Sequence, residues 1–124
     1  MPADPRTLVG EDFCYLTTTG RVTGKPHEIE IWFGLDPGGQ TLYMLAGGGD
    51  TSDWVKNLHQ DPEVWVRIAD EHFDGRARVV ENTEEDDLAR RLLVGKYERN
   101  PGSLANWGRT ALPVAVDLDL SAPG

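Results

Sequence analysis

Apolar and polar residues alternate along 27–35: Ile29, Ile31, Phe33 and Leu35 fall on one side of an extended chain, with Glu28, Glu30 and Trp32 on the other. That period of two predicts a half-buried strand. Residues 13–19 read as a strand before it, and 41–46 as one after it, beyond the turn Asp36-Pro37-Gly38-Gly39. Val64, Val66 and Ile68 mark a fourth strand over 63–69, the polar turn Asp70-Glu71 leads to a fifth over 72–80, and Val114, Val116, Leu118 and Leu120 mark a sixth over 112–120. Two segments change period. Trp54, Val55 and Leu58 form a helical stripe that Asp50, Thr51 or Ser52 caps and Asp61-Pro62 stops. Leu88, Leu92, Leu93 and Tyr97 form another, opened by Thr83 as a hydroxyl cap, with Glu84, Glu85 and Asp86 in the first turn. Residues 100–109 are irregular or hold one short helical turn.

Six strands with short connections and two or three small helices exclude a doubly wound α/β fold. Closing such a sheet on itself removes its edges. The expected fold is mainly β (α+β), a six-stranded antiparallel split β-barrel. It forms one domain over 1–124, with residues 1–11 as a loose N-terminal arm.

The first two strands are joined by Gly20-Arg21-Val22-Thr23-Gly24-Lys25-Pro26-His27, which gathers glycines, hydroxyls and two cations. Such a turn brings backbone amides and positive charge toward an anion. It is equally a composition found in solvated hairpin turns without a ligand. Three residues between Gly20 and Gly24, with Pro26 after Lys25, exclude the P-loop spacing. A second glycine run, Gly47-Gly48-Gly49, enters the first helix and offers a phosphate the amides of a helix start. It lacks the GxGxxG spacing, and Asp50 and Asp53 repel an anion there.

Net charge is −9 and the isoelectric point about 4.6. A general nucleic-acid surface and electrostatic attachment to anionic lipid are therefore not expected. Arg21 and Lys25 stand out because no acid lies between Asp12 and Glu28. No apolar run approaches the roughly 20 residues of a membrane span, and residues 1–11 show no secretory pattern, so a cytoplasmic protein is expected. Cys14, the single cysteine, sits in the apolar run Phe13-Cys14-Tyr15-Leu16 and reads as a buried residue. His27, His59 and His72 make no metal motif, and CxxC, HExxH and GxSxG are absent, so no metal site and no catalytic side chain is assigned. A chain of this kind can borrow its chemistry from an organic cofactor.

The run YLTTTGRVTGKPHEIEIWF, then a glycine-rich loop with SDWVKNL and DPEVWVRI, resembles the deazaflavin-dependent nitroreductase family, within the split β-barrel flavin and deazaflavin oxidoreductases. The likeness covers about 13–68, with a weaker echo from Trp107 to Val114. It implies coenzyme F420, a deazaflavin whose tail carries a phosphate and a polyglutamate chain. Thr19, Gly20, Arg21, Thr23, Gly24 and Lys25, with Pro26 and His27 closing the turn, would then meet the phosphate region. Gly47, Gly48, Trp54 and Asn57 would line the path of the ring and its linker. The implied reaction is hydride transfer to a small electrophile such as a quinone, enone or nitro compound. Tyr97, Trp107 and Arg109 are the candidates for its pocket, and pairing into a homodimer follows by analogy. The alternatives are an FMN-binding split barrel using the 47–52 turn, and a non-catalytic small-molecule carrier. The chain departs from the family at Val22 and His27, where a basic residue is common.

Overall fold

A computed structural model describes residues 4–120. Its strands are β1 (Cys14–Thr19), β2 (Pro26–Ile31), β3 (Gly34–Leu35), β4 (Thr41–Ala46), β5 (Glu63–Ile68), β6 (Glu71–Val79) and β7 (Leu112–Leu118). The helices are α1 (Asp53–Gln60), α2 (Thr83–Tyr97) and α3 (Ala105–Thr110). All seven strands join one antiparallel sheet in the order β2-β1-β5-β6-β7-β4-β3. The two edge strands, β2 and β3, are consecutive in the chain, with only Trp32 and Phe33 between them. The sheet must therefore curl until its edges nearly meet, which is the split-barrel form.

The strand expected over 27–35 is thus two strands, and the count is seven instead of six. The break has a physical cause. Phe33 leaves the ladder, and its buried N–H donates to the Tyr97 hydroxyl at 3.0 Å. That hydroxyl donates in turn to the Asp12 carbonyl at 2.8 Å, and the Phe33 carbonyl accepts from the Lys96 ammonium at 3.1 Å. Side chains of α2 replace the missing strand partners, so the N–H and carbonyl of Phe33 are both satisfied.

Two apolar layers form. Leu16, Phe33, Leu42, Met44, Val55, Val64, Val66, Ile68 and Val116 fill the barrel interior. Tyr43, Leu45, Ala115, Ala89, Leu93 and Tyr97 pack where α2 covers the outside of β4 and β7. Those two strands are buried on both faces, which explains their nearly continuous apolar runs. Burial pushes the Cys14 thiol up to about 12. Arg78 ties β6 to α2 and β7 through Glu85 at 2.6 Å and Asp117 at 2.8 Å, and the Tyr43 hydroxyl donates to the same Glu85.

Smaller expectations change. Asn82, not Thr83, caps α2, its Oδ1 accepting from Glu85 N–H at 3.1 Å. The β5–β6 turn is Ala69-Asp70, one residue earlier than expected, with Ala69 at φ 54° as a two-residue hairpin requires. Ser52 precedes α1 without a side-chain cap, after a short 3₁₀ turn at Gly49–Thr51. From residue 4 on, the N-terminal segment forms a 3₁₀ turn at Pro5–Leu8 capped by Asp4.

Candidate functional site

The turn between β1 and β2 is closed by its own backbone. Gly20 N–H donates to the Lys25 carbonyl and Gly24 N–H to the Gly20 carbonyl, both at 2.8 Å, with Gly24 in the left-handed region at φ 73°. At Gly20 a Cβ would lie 2.6 Å from Nε2 of the exposed His27 ring, which can turn away, and 3.1 Å from the Lys25 carbonyl, so a side chain there would displace the ring that now covers the turn. The Thr23 hydroxyl accepts from Lys25 N–H at 3.2 Å. The amides of Val22 and Thr23 keep no protein acceptor. These two successive amides, beside a cation, are therefore available to solvent or to an anion.

Helix α1 supplies the other wall. Asn57 is 4% exposed; its Oδ1 accepts from Arg21 Nη1 at 2.8 Å and Arg21 N at 3.2 Å, and its Nδ2 donates to Thr18 Oγ1 at 3.1 Å. Arg21 also meets the Asp53 carboxylate at 3.2 Å and the Asp53 carbonyl at 3.4 Å. The cleft between turn and helix holds about 420 Å³, and Gly20, Arg21, Thr23, His27, Trp54 and Asn57 are in its lining.

A second concavity opens along β2. It is apolar, about 510 Å³, and lined by Phe13, Glu30, Ile31, Trp32, Leu45, Leu104 and Trp107. Trp32 stacks on Tyr97 with ring centroids 4.4 Å apart and planes 4° from parallel, and meets Trp107 edge-on at 5.6 Å. Ile29 lines the cleft and Ile31 the groove. Two residues along a strand span about 7 Å, so the two concavities are neighbours.

The other expected residues distribute as follows. Thr19 and Pro26 pair at the end of the β1–β2 ladder, outside the cleft lining. Gly24 shapes the turn, and the Lys25 side chain is exposed with no protein partner. Gly47 lies beside Trp107, where a Cβ would be 3.8 Å from the indole, and at Gly48 one would be 2.6 Å from Ser52 Oγ. Tyr97 is buried beneath Trp32, and Arg109 bonds Asn106 at 3.3 Å outside the groove lining. Trp32 and Asp53 were not among the expected site residues. Their signals were an aromatic interrupting the polar side of a strand, and an acid one helical turn before Asn57.

A sequence profile of the F420H(2)-dependent quinone reductase family matches residues 4–119. The chain belongs to that family. It is therefore an oxidoreductase, with coenzyme F420 as its cofactor. An F420H(2)-dependent quinone reductase of Mycobacterium tuberculosis (strain H37Rv) is 28% identical over 119 residues, 94% of this chain and 74% of the relative. The solved structure of an F420-H2 dependent reductase superposes with a TM-score of 0.68 at 24% identity, covering 86% of this chain and 94% of that one. A structure described as a domain-swapped dimer gives 0.68 at 26% identity, over 86% and 80% of the two chains. These likenesses bear out the antiparallel split-barrel architecture. Among the described residues no helix is long and apolar enough to cross a membrane.

Proposed function

We propose that this F420-dependent oxidoreductase reduces small, flat electrophiles, quinones before enones and nitro compounds. The observation that carries this reading is the adjacency of a cation-bearing cleft and an aromatic groove along one strand, β2. The residues fit a cofactor with an anionic tail and a planar ring. Arg21, the free amides of Val22 and Thr23, and Lys25 suit the phosphate. Gly47, Gly48 and Trp54 suit the passage of ring and linker. Asn57 serves differently from a direct ligand, because its amide is already occupied holding Arg21 against the turn.

When bound, reduced F420 supplies a hydride. The chain's own part is to hold and shield. Trp32, Phe13, Leu45 and Trp107 offer apolar faces that bind a planar acceptor and exclude water. Glu30 is the titratable group in the groove's lining; the Tyr15 hydroxyl donates to one of its oxygens at 2.8 Å, and the accompanying proton comes from solvent directly or through the other oxygen of this exposed carboxylate. Two copies pair in this reading, supported by the domain-swapped dimer of similar fold; light scattering of the eluted protein tests it.

The deciding experiment is a fluorescence titration with F420, followed by turnover of F420H2 with a quinone, an enone and a nitroaromatic. Replacing both Arg21 and Lys25 with Ala weakens F420 binding while the protein still unfolds cooperatively at a modestly lower temperature, because Asn57 Oδ1 keeps only the backbone N–H of residue 21. A charge-assisted contact contributes about 1.5–3 kcal/mol when desolvated and less in an open cleft. Unchanged affinity would overturn the assigned site. Binding without turnover of any acceptor would make the protein a carrier.

A further inference from the structure

The next inference rests on the cofactor reading above and concerns how much of the anionic tail the cleft tolerates. A guanidinium has five N–H donors. On Arg21 three are taken, by Asn57 Oδ1, the Asp53 carbonyl and the Asp53 carboxylate. The charged lining of the cleft is one guanidinium against two carboxylates, Glu28 and Asp53. Among these three charges a cleft suited to one phosphate by its donors is net negative. Beyond the lining, Lys25 and Lys56 are exposed cations with no ion pair, while Asp50 adds a further acid just before α1.

We infer that Asp53 is a specificity-determining residue that makes this cleft a poor reader of the glutamate tail. Arg21's two remaining donors and the free amides of Val22 and Thr23 hold the phosphate. Asp53 competes for the same guanidinium and repels the carboxylates that follow. The protein therefore takes short-tailed and long-tailed F420 almost alike. Asp53 contributes only the small stabilisation of an acid in the first turn of α1: its side chain is 86% exposed and its carboxylate contacts Arg21 across the cleft.

The test is fluorescence anisotropy with F420 carrying a single glutamate and with F420 carrying a long polyglutamate tail, at low salt, on wild type, D53N, D53S and D53E. Wild type and D53E bind the two forms within about twofold of each other. D53N and D53S bind the long-tailed form about two- to fivefold more tightly than wild type does, the range set by an exposed ion pair. They gain less for the short tail, and their affinity falls more steeply as salt rises. A wild type that already prefers the long tail by about tenfold overturns the inference. So does an unchanged ratio in D53N and D53S while both forms still bind. Failure of both forms to bind any of these proteins overturns the cofactor site itself, and the inference with it. Thermal unfolding of each variant matches wild type, so a change in ratio reports charge.

Discussion

Tyr97→Phe separates a scaffold role for Tyr97 from a role in holding an acceptor. The variant keeps the ring that stacks on Trp32 at 4.4 Å and removes only the hydroxyl. Phe33 N–H then has no acceptor in a buried setting, and the Asp12 carbonyl loses its 2.8 Å donor. An orphaned buried donor costs about 1–3 kcal/mol and a lost hydrogen bond about 1 kcal/mol, so the expected destabilisation is about 2–4 kcal/mol. Unfolding entropy of about 2.1 cal/mol/K per residue over 124 residues converts this to a fall in Tm of about 8–15 °C. The assay is thermal unfolding followed by circular dichroism. The near-UV spectrum should survive below the transition because the stack survives, and the F420 dissociation constant should stay within about twofold. A Tm within about 2 °C of wild type would refute the argument that this hydroxyl holds the strand break. Weaker acceptor binding with no loss of stability would return Tyr97 to the pocket.

Other perturbations follow from the same contacts. Asn57→Ala strips a buried partner from Thr18 and from Arg21, and should cost about 2–3 kcal/mol in urea unfolding while also weakening F420 binding. Gly75→Ala places a Cβ 2.5 Å from Val116 Cγ1 and should destabilise by about 1–3 kcal/mol. Gly95→Ala, exposed in α2 with open space around it, should stabilise by about 0.5–1 kcal/mol. Shifts of the same sign in the two urea midpoints would contradict these placements. Burial lowers the Lys96 ammonium to about 8 from 10.5, so from about pH 8 to 10.5 the unfolded chain binds more protons and stability rises with pH. The stability of wild type relative to Lys96→Met should therefore increase between pH 7 and pH 10 in urea titrations. The upward shifts of Cys14 and Tyr97 are common to both proteins and largely drop out of that difference.

Local chemistry determined much of this protein. Alternation placed the strands, because a strand with one face in a core must change polarity every residue. The Asp61-Pro62 stop and the acidic first turn of α2 bounded the helices. Residues 20–27 marked the turn that now lines a cleft, since Gly24 is dictated by a left-handed backbone and the absence of a side chain at Gly20 lets the His27 ring lie over the turn. Tertiary structure decided the rest. Alternation assigned Trp32 to the polar side of its strand with Glu28 and Glu30, yet Tyr97 and Trp107 cover that side. A period of two states which face a residue occupies and says nothing of what packs there. The break at 32–33 likewise needed Tyr97, 64 residues away, to take over the backbone bonds of Phe33. Asn57 carried a polar label in its helix, but its duty to Arg21 and Thr18 exists only because barrel closure brings α1 against the first turn. Faces and turns are set by neighbours in sequence; partners are set by how the sheet closes.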